Sequence, residues 1–374
     1  MARAPILQEV EALPEADRLE GFAHPRETRD LFGHASAEQA LAEAFTSGRM
    51  HHGWLFSGPE GIGKATLAYR LARHVLASAD ERDPFGHSLA VPETCSAARQ
   101  IAALAHPGLL VLRRPYDTKS KRFAASLPVE EVRRLKSFLG LTGGEGQWRV
   151  VIVDTADDLN INAANALLKS LEEPPARALF ILITSEPGRL LPTIRSRCRK
   201  LDLKPLGEAD LKRAVDAALL SAEADAPAPA QWPRLARLAD GSVRRALQLF
   251  SSGGLDLYDE IEGIFARLPK VDWAAAHTLS DGMAQAAQEQ RFAAFFDLLL
   301  ELLARLIHAR ATGWGEGEEM ALAQRLIAPE AVPRWATLWE SVVKDRSEAE
   351  ALNLDRKALI LGVLGKLEAA AKGP

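Results

Sequence analysis

The stretch Gly53-Trp-Leu-Phe-Ser-Gly-Pro-Glu-Gly-Ile-Gly-Lys-Ala-Thr66 decides how this chain folds. It begins with a short apolar run that is typical of a buried strand. It ends where a helical pattern begins, with Leu67, Leu71 and Val75 four residues apart. Between the two lies the pattern G-x-x-x-x-G-K, whose backbone N–H groups converge on a phosphate at the positive end of a helix. The stretch therefore predicts a strand, a phosphate-binding loop and a helix.

The phosphate-loop pattern is complete except at one position. Gly58, Gly63 and Lys64 occupy its fixed positions, and Lys64 is expected to pair with the β and γ phosphates. The next residue should carry a hydroxyl group that ligates Mg²⁺, but here it is Ala65. Thr66 lies about 100° further round the helix, which makes it a poor replacement. ATP or ADP is the expected ligand, with Mg²⁺ weakly held or absent. The candidate nucleotide-binding residues of the loop are Gly58, Gly61, Gly63, Lys64 and Thr66.

A second nucleotide motif is altered in a parallel way. The apolar run Arg149-Val-Val-Ile-Val-Asp154 ends in a carboxylate suited to holding Mg²⁺ or its water. An ATPase of this type normally carries a Glu directly afterwards to activate the attacking water, and here the residue is Thr155. Asp157 and Asp158 are expected to point elsewhere. The sequence predicts a site that binds nucleotide without turnover. The alternative is a loop that is retained for folding and stays empty.

Strand and helix patterns alternate over roughly the first 200 residues. Further buried strands are predicted at Leu109–Leu112 and Leu179–Thr184, and helices at Pro128–Leu139 and Asn162–Glu173. Such alternation indicates a parallel sheet covered by helices on both faces. From about Pro205 onward the pattern is helical. We predict an α/β class followed by an all-α region, divided into domains at residues 1–204, 205–255 and 256–374.

The helical part contains one nearly continuous apolar segment, from Phe292 to His308. Its exceptions, Asp297, Glu301 and Arg305, are four residues apart and form one narrow stripe. A helix that is apolar over most of its circumference must be covered on several sides. It is either the core helix of a bundle or a helix at a subunit interface.

Charge and cysteine content exclude several classes of protein. The net charge is −4 and the pI is about 6.2, so contact with DNA requires a local patch or a larger assembly. The two cysteines, Cys95 and Cys198, cannot form a disulfide framework or a four-cysteine zinc site. The N-terminal segment lacks the apolar core of a signal peptide, and Phe292–Ala304 is too short to span a bilayer. These features favour a reducing cytoplasm and no membrane.

Several further segments, taken together with the phosphate loop, resemble the bacterial clamp-loader family of AAA+ proteins. The resemblance covers nearly the whole chain, and it implies an AAA+ P-loop α/β domain, a small helical lid domain and a C-terminal helical collar domain for oligomerisation. The run Asn165–Pro175 together with Ser196-Arg197-Cys198 is its most specific part. The segments that carry the resemblance are Arg49–Gly58, Asn165–Pro175, Ile194–Cys198, Gly241–Leu247 and Leu352–Asp355.

The family contains two kinds of ATPase-fold subunit. The gamma/tau motor keeps an intact phosphate loop, an Asp-Glu pair and a four-cysteine zinc module, whereas the delta-prime subunit commonly has degraded nucleotide motifs and keeps Ser-Arg-Cys. Ala65 and Thr155 favour the delta-prime, stator-like subunit. The zinc module is reduced to Cys95, so no zinc or other metal is expected. A hydrolysing gamma/tau-type motor is the alternative, and a P-loop small-molecule kinase is a remote one.

The resemblance also implies roles for three polar residues. Arg197 matches the arginine finger that reaches into the ATP site of a neighbouring motor subunit; the alternative is a local salt bridge at a helix end. Thr184 matches the polar sensor of the γ-phosphate, and Arg244 matches the sensor arginine of the lid domain. The chain is thus expected not to be catalytic alone, but to serve as a subunit of a DNA-directed DNA polymerase (nucleotidyltransferase) holoenzyme.

The resemblance implies partners as well. They are the gamma/tau and delta subunits, contacted through the C-terminal domain, and the sliding clamp and primer-template DNA, reached through the complex. Lys169 is one candidate for the DNA-facing surface. A basic loop with two aromatic residues either contacts DNA phosphates or an acidic partner, or is simply solvated. Its residues are Arg113, Arg114, Tyr116, Lys119, Lys121, Arg122 and Phe123.

Overall fold

The chain forms two compact units, residues 1–247 and 248–374. The computed structural model describes residues 13–83, 85–92, 94–140, 147–285, 288–315, 317–352 and 354–373. The first unit holds the sheet and the helices around it, and the second is helical. The helix Val243–Ser251 crosses the boundary between the units. The predicted domain divisions after residues 204 and 255 stay predictions.

A five-stranded parallel sheet forms the centre of the first unit, and its order is β2-β5-β6-β1-β7. All residues of β1 and β6 are buried, as continuous apolar strands require when helices cover both faces. The predicted parallel α/β architecture is therefore confirmed. Two further strands, β3 and β4, pair as a small antiparallel hairpin. The strands are β1 Gly53–Ser57, β2 Leu109–Leu112, β3 Tyr116–Asp117, β4 Arg122–Phe123, β5 Arg149–Val153, β6 Ala178–Thr184 and β7 Arg199–Asp202.

Helices of the first unit pack against the sheet or follow it. On one face, Leu135, Leu167 and Leu171 join a core with Val151 and Phe180 of the sheet. These leucines belong to the helices α4 and α5, whose positions agree with the predicted ones to within one residue. The helices are α1 Ala35–Thr46, α2 Lys64–Leu76, α3 Ser96–Ala102, α4 Val129–Gly140, α5 Ile161–Glu172, α6 Pro192–Arg195, α7 Glu208–Ser221, α8 Trp232–Ala239 and α9 Val243–Ser251.

The second unit is built around one long helix, α12, which packs against α10, α13 and α14. Its apolar residues are buried on several sides, as for the core helix of a bundle. Its polar stripe is also used, since Arg305 donates to Tyr258 Oη at 2.6 Å and Asp297 lies 2.5 Å from Arg346 Nη1. No described helix is both long and apolar enough to cross a membrane. The helices are α10 Gly254–Arg267, α11 Trp273–Asp281, α12 Glu289–Thr312, α13 Gly317–Leu326, α14 Val332–Leu352 and α15 Arg356–Lys372.

Candidate nucleotide site

The phosphate loop connects β1 to α2 and packs tightly against the start of α9. Gly61 has φ +76°, and a Cβ atom there would overlap Ser242 and Arg244. The Gly61 carbonyl accepts hydrogen bonds from the backbone N–H groups of Val243 at 2.9 Å and Arg244 at 3.3 Å. The loop conformation therefore needs glycine at this position, and it joins the strand–loop–helix element to the helices that follow the sheet.

A cavity of about 640 Å³ opens beside this loop. Its volume falls within the range of about 300–1,000 Å³ that is usual for small-molecule sites. Apolar side chains such as Phe22, Phe32 and Leu206 form part of its wall. The structure brings most of the candidate nucleotide residues together on the polar part of the wall. They are Gly61, Gly63, Lys64, Thr66, Asp154 and Arg244.

Two candidate residues lie beside the cavity rather than on its described wall. Gly58 packs against the end of β7, where a Cβ atom would overlap the Leu203 carbonyl oxygen. Thr184 ends β6 and is fully buried. Both contribute through neighbours that do line the cavity, because Gly58 binds Lys64 and Thr184 binds Asp157.

Lys64 is bound by the phosphate loop itself. Its Nζ donates to the carbonyl oxygens of Gly58 at 2.6 Å and Pro59 at 2.5 Å, and to Ser185 Oγ at 3.1 Å. An ammonium group has three protons to donate, so these contacts use its capacity fully. Burial lowers the pKa of Lys64 to about 8, although nearby Asp154 opposes that shift. To bind a phosphate, Lys64 must exchange at least one of these oxygens for the ligand.

The position that normally ligates Mg²⁺ has no oxygen in its side chain. Ala65 and Thr66 both line the cavity, and the Thr66 hydroxyl makes no hydrogen bond to any residue that the structure describes. Asp154 lies at the same wall; burial, reinforced by the negative charge of Asp17, raises its pKa to about 7. Within the described ranges no cluster of three or more His, Cys, Asp or Glu residues is arranged to hold a metal ion. The expectation that the chain holds no zinc, and Mg²⁺ weakly if at all, stays a prediction.

The residue in the usual position of the catalytic Glu is turned toward the sheet. Thr155 Oγ1 donates to the Ile183 carbonyl oxygen at 2.9 Å. The Asp157 carboxylate accepts hydrogen bonds from the Thr184 hydroxyl and, at 2.6 Å, from the Ser185 N–H group. Asp157 lines the cavity, and so does Asp158, although both were expected to point elsewhere. The proposed sensor hydroxyl of Thr184 is therefore engaged inside the protein.

Arg244 closes the cavity from the side of α9. Its Nε lies 3.4 Å from Glu60 Oε1, and its Nη1 donates to the Asp17 carbonyl oxygen at 3.3 Å. It thus bridges the phosphate loop and the N-terminal segment. Its charge faces the same cavity as Lys64, which is the arrangement expected of two cations that contact one polyphosphate.

The N-terminal segment, around residues 15–32, contributes to this site in a way that no sequence pattern predicted. Asp17 lines the cavity, and its carboxylate lies 3.0 Å from His24 Nε2 and 2.8 Å from Arg113 Nη1. Glu15 lies 2.5 Å from Arg113 Nη2. Arg113 lies about a hundred residues after Glu15 and Asp17, so no local pattern predicts their pairing. It also removes Arg113 from the basic loop that was considered for DNA contact.

The rest of that basic loop is divided. Arg114 Nε lies 2.8 Å from Asp158 Oδ2 and lines the nucleotide cavity. Lys119, Lys121 and Arg122 are exposed at the turn of the β3–β4 hairpin. Lys169, the other candidate for DNA contact, is exposed on α5. The structure therefore leaves these four cations available at the surface.

Arg197 lies at the opposite edge of the sheet from the phosphate loop. It precedes β7, and its carbonyl oxygen is 3.2 Å from the Cβ position of Gly53, at the start of β1. The loop begins at Gly58, about 17 Å further along at ~3.3 Å per strand residue. Arg197 Nη2 lies 2.7 Å from Glu172 Oε1, and its side chain is 34% exposed. The local salt bridge considered as an alternative is thus present, and the guanidinium still reaches solvent.

The order of the parallel sheet and the glycine-rich loop after β1 define a P-loop α/β fold. The family described as "DNA polymerase III, delta subunit" matches residues 33–207. The tau subunit of DNA polymerase III from Escherichia coli is 31% identical over 270 residues, which are 71% of this chain and 39% of that protein. The delta' subunit from Pseudomonas aeruginosa is 38% identical over 162 residues, 43% of this chain and 46% of that protein.

A solved structure of a gamma subunit-related protein of DNA polymerase III from Thermotoga maritima is 17% identical. It covers 90% of this chain and 99% of its own, with a TM-score of 0.41. The chain spans less than half the length of each of the two curated relatives described above. The chain belongs to the clamp-loader family of DNA polymerase III subunits.

Proposed function

We propose that this chain is a delta-prime-type, stator-like subunit of a clamp loader, which helps place a sliding clamp on primed DNA. The observation that carries the proposal is the composition of the nucleotide cavity. Ala65 and Thr155 line it where a magnesium-binding hydroxyl and a catalytic carboxylate are needed. Lys64 and the glycine loop remain, so the cavity binds ATP or ADP weakly and turns it over poorly.

Arg197 gives such a subunit its contribution to catalysis. A guanidinium is permanently charged and planar, and it can neutralise charge on a phosphoryl group during transfer. Arg197 is separated from the chain's own phosphate loop by about the length of a strand, which suits action at a neighbour's ATP site rather than its own. Its ion pair with Glu172 holds the side chain near the surface until a neighbouring subunit presents that site.

The partners that follow are a gamma/tau-type motor and a delta-type subunit, bound through the helical second unit. The sliding clamp and primer-template DNA are reached through the complex, in the cytoplasm where chromosomal replication occurs in bacteria. Exposed Lys119, Lys121 and Lys169 are the residues that we expect to lie nearest to DNA. Phosphate contacts of this kind carry no sequence preference, which suits loading at any primer end.

A hydrolysing gamma/tau-type motor is the second candidate. It is favoured by the tau subunits that match this chain at 31–32% identity over 60–71% of its length. Thr66 also lines the cavity, and its hydroxyl, which bonds to no described residue, is a candidate substitute for the missing magnesium ligand. This candidate requires that Thr66 ligate Mg²⁺ and that another group replace the catalytic Glu.

ATP hydrolysis by the purified full-length chain separates the two candidates. The stator proposal expects a rate indistinguishable from that of Lys64→Ala, with nucleotide present in excess. Turnover at the rate of a clamp-loader motor assayed in parallel, abolished by Lys64→Ala, would establish the motor instead.

Equilibrium binding of labelled ATP to the same two proteins then tests occupancy of the cavity. We expect weak binding that Lys64→Ala reduces further. Equal signals from both proteins would mean that the loop serves folding alone.

A further inference from the structure

A second, smaller cavity in the first unit is lined by arginine side chains. Its volume is about 160 Å³, and it lies between the N-terminal segment, α2 and the residues around α3. Two of the arginines are three residues apart on α2 and so share one face of that helix. We call this space the arginine cavity. Its arginines are Arg26, Arg29, Arg70, Arg73 and Arg99.

Among the described residues, carboxylates neutralise at least two of these guanidinium groups, and Arg29 is engaged as well. Glu15 Oε2 lies 2.8 Å from Arg26 Nη1, and Glu38 Oε1 lies 2.8 Å from Arg70 Nε. Glu27 is the acidic residue on the described wall of the cavity, and it already forms an ion pair outside the cavity. The negative charge around the arginine cavity is therefore largely used.

Arg73 is buried without a carboxylate partner among the described residues. Only 6% of it is exposed, and its guanidinium donates to the carbonyl oxygens of Arg26 at 3.1 Å and Thr28 at 2.8 Å. Burial, together with the positive charges of Arg70 and Arg29, lowers the pKa of Arg73 to about 10. The side chain is still charged at neutral pH. A buried charge that only carbonyl dipoles stabilise is costly, and a bound anion would offset that cost.

Arg99 adds a second guanidinium, and no anionic partner for it lies among the described residues. It is exposed on α3 and lines the arginine cavity, and its side chain forms no ion pair or hydrogen bond within the part of the chain that the structure describes. Planar guanidinium groups match the oxygen geometry of phosphate through paired N–H donors. The cavity is well below the roughly 300–1,000 Å³ of a typical ligand site, so it suits one oxyanion group and not a whole nucleotide.

We propose that the arginine cavity binds a single phosphate group, supplied by inorganic phosphate or by a small phosphomonoester. Arg73 and Arg99 provide the uncompensated donors, and Arg70 completes the positive wall. Arg73 follows Lys64 by nine residues on α2, about 14 Å along the helix axis. The arginine cavity is therefore separate from the phosphate loop. A phosphate bound there would contact the C-terminal end of α2, the helix that begins at the phosphate loop.

Phosphate binding to the full-length chain, followed by phosphorus NMR or calorimetry at constant ionic strength, tests the proposal. We expect saturable binding that Arg99→Glu weakens roughly tenfold or more, since a charge-assisted contact is lost and a repulsion gained. Arg133→Glu is the matched control, because the substitution makes the same change in charge at a side chain that is 72% exposed on α4. Lys64→Ala alters the phosphate loop and leaves the arginine cavity intact, so it distinguishes binding at the two places. Both Arg133→Glu and Lys64→Ala should bind phosphate at the arginine cavity with an affinity within about twofold of that of the unaltered chain.

Two results of this binding experiment would overturn the proposal. One is the absence of saturable binding of both phosphate and glycerol phosphate to the unaltered chain. The other is binding that Lys64→Ala abolishes and Arg99→Glu leaves unchanged, which would assign the anion to the phosphate loop. The affinities for phosphate and glycerol phosphate show whether the cavity prefers the free anion or a phosphomonoester. Tighter binding of either one supports the proposal.

A second variant removes the buried charge. Arg73→Met keeps most of the side-chain volume, and we expect the rise in melting temperature caused by phosphate over chloride to disappear. If that rise is unchanged, Arg73 does not bind the anion and the proposal fails. If the variant does not fold, the comparison of Arg99→Glu with Arg133→Glu still decides. The proposal is also contradicted if neither phosphate nor glycerol phosphate binds, while a single-stranded oligonucleotide binds and Arg99→Glu weakens that binding.

Discussion

The two edges of the parallel sheet differ in what they offer to a nucleotide. At the edge where the strands end, the phosphate loop and Lys64 face a cavity that lacks a magnesium-binding hydroxyl at Ala65 and a base at Thr155. At the edge where the strands begin, Arg197 stands near the surface, paired with Glu172. One edge keeps the lysine and glycines of a phosphate loop but lacks two groups that hydrolysis needs, and the other carries a cation far from that loop. Under the function proposed above, this difference means that the catalytic contribution of the subunit is made to a neighbour.

Removing the cation at the second edge should have the largest effect. In a reconstituted clamp loader, Arg197→Ala should lower hydrolysis at the neighbouring site by about 10³-fold or more, because charge on the transferred phosphoryl group loses its partner. The measurement is single-turnover ATP hydrolysis in the presence of clamp and primed DNA.

Arg195→Ala is the control for that experiment. Arg195 is two residues away, exposed, and without an ion pair in the described ranges. Equal rates for Arg197→Ala and the unaltered complex would refute the arginine-finger assignment.

Restoring the first edge should have the next largest effect. Ala65→Ser combined with Thr155→Glu supplies a magnesium-binding hydroxyl and a base, and a positioned base contributes about 10²–10⁴ in rate. We expect ATP hydrolysis by the isolated chain to rise by about 10²-fold.

The control for the restored site is Ala65→Ser with Thr155→Gln, which has the same shape but no base. It should remain inactive. If the two double variants hydrolyse ATP equally, a missing base is not what limits this cavity.

A pH experiment tests the electrostatics of the first edge. The pKa of Asp154 is raised from 3.8 to about 7 by burial and by Asp17, so the folded chain keeps a proton that the unfolded chain has lost. Its contribution to the free energy of unfolding is complete at low pH and is lost as pH rises through about 7. Asp154→Asn does not titrate, so its stability relative to the unaltered chain should be higher at pH 8 than at pH 5. After allowance for partial exposure, we expect a difference of about 1 kcal/mol.

Melting temperatures of both proteins at the two pH values give this difference. Asp80→Asn removes an exposed carboxylate outside the described wall of the cavity and should show no such pH dependence. A larger advantage of Asp154→Asn at pH 5 would contradict the raised pKa.

The smallest effect is expected from the anchor of Arg197. Glu172→Gln removes an exposed ion pair of about 0.5 kcal/mol and should make the guanidinium more available to a neighbour. Stimulated hydrolysis by the reconstituted loader should rise about twofold. Glu173→Gln, one residue further along, is the control. A marked fall with Glu172→Gln would mean that the ion pair positions Arg197 for its role.

Much of the first unit could be predicted from local sequence patterns. The apolar run before the glycine loop, the helical spacing after it and the run that ends at Asp154 each specify their own element. The missing functional groups at Ala65 and Thr155 are also visible without a structure, because side-chain chemistry is a property of the residue. The helices predicted at 128–139 and 162–173 begin and end within one residue of their predicted bounds.

The partners of the charged residues could not be predicted. The sequence predicts that Lys64 pairs with phosphates. In the structure its amine donates to the Gly58 and Pro59 carbonyls and to Ser185. Arg113 was considered for DNA contact, yet it pairs with Asp17 and Glu15, about a hundred residues earlier in the chain.

Residue types and periodicity thus determined the class of fold, the phosphate loop and its chemical deficiencies. Only the tertiary structure decided which charges meet, how burial and the nearby Asp17 raise the pKa of Asp154, and that Arg73 is buried beside a small cavity. The physical reason is range. Strand and helix formation depends on neighbours a few residues apart, whereas ion pairing and burial depend on elements that only the folded chain brings together.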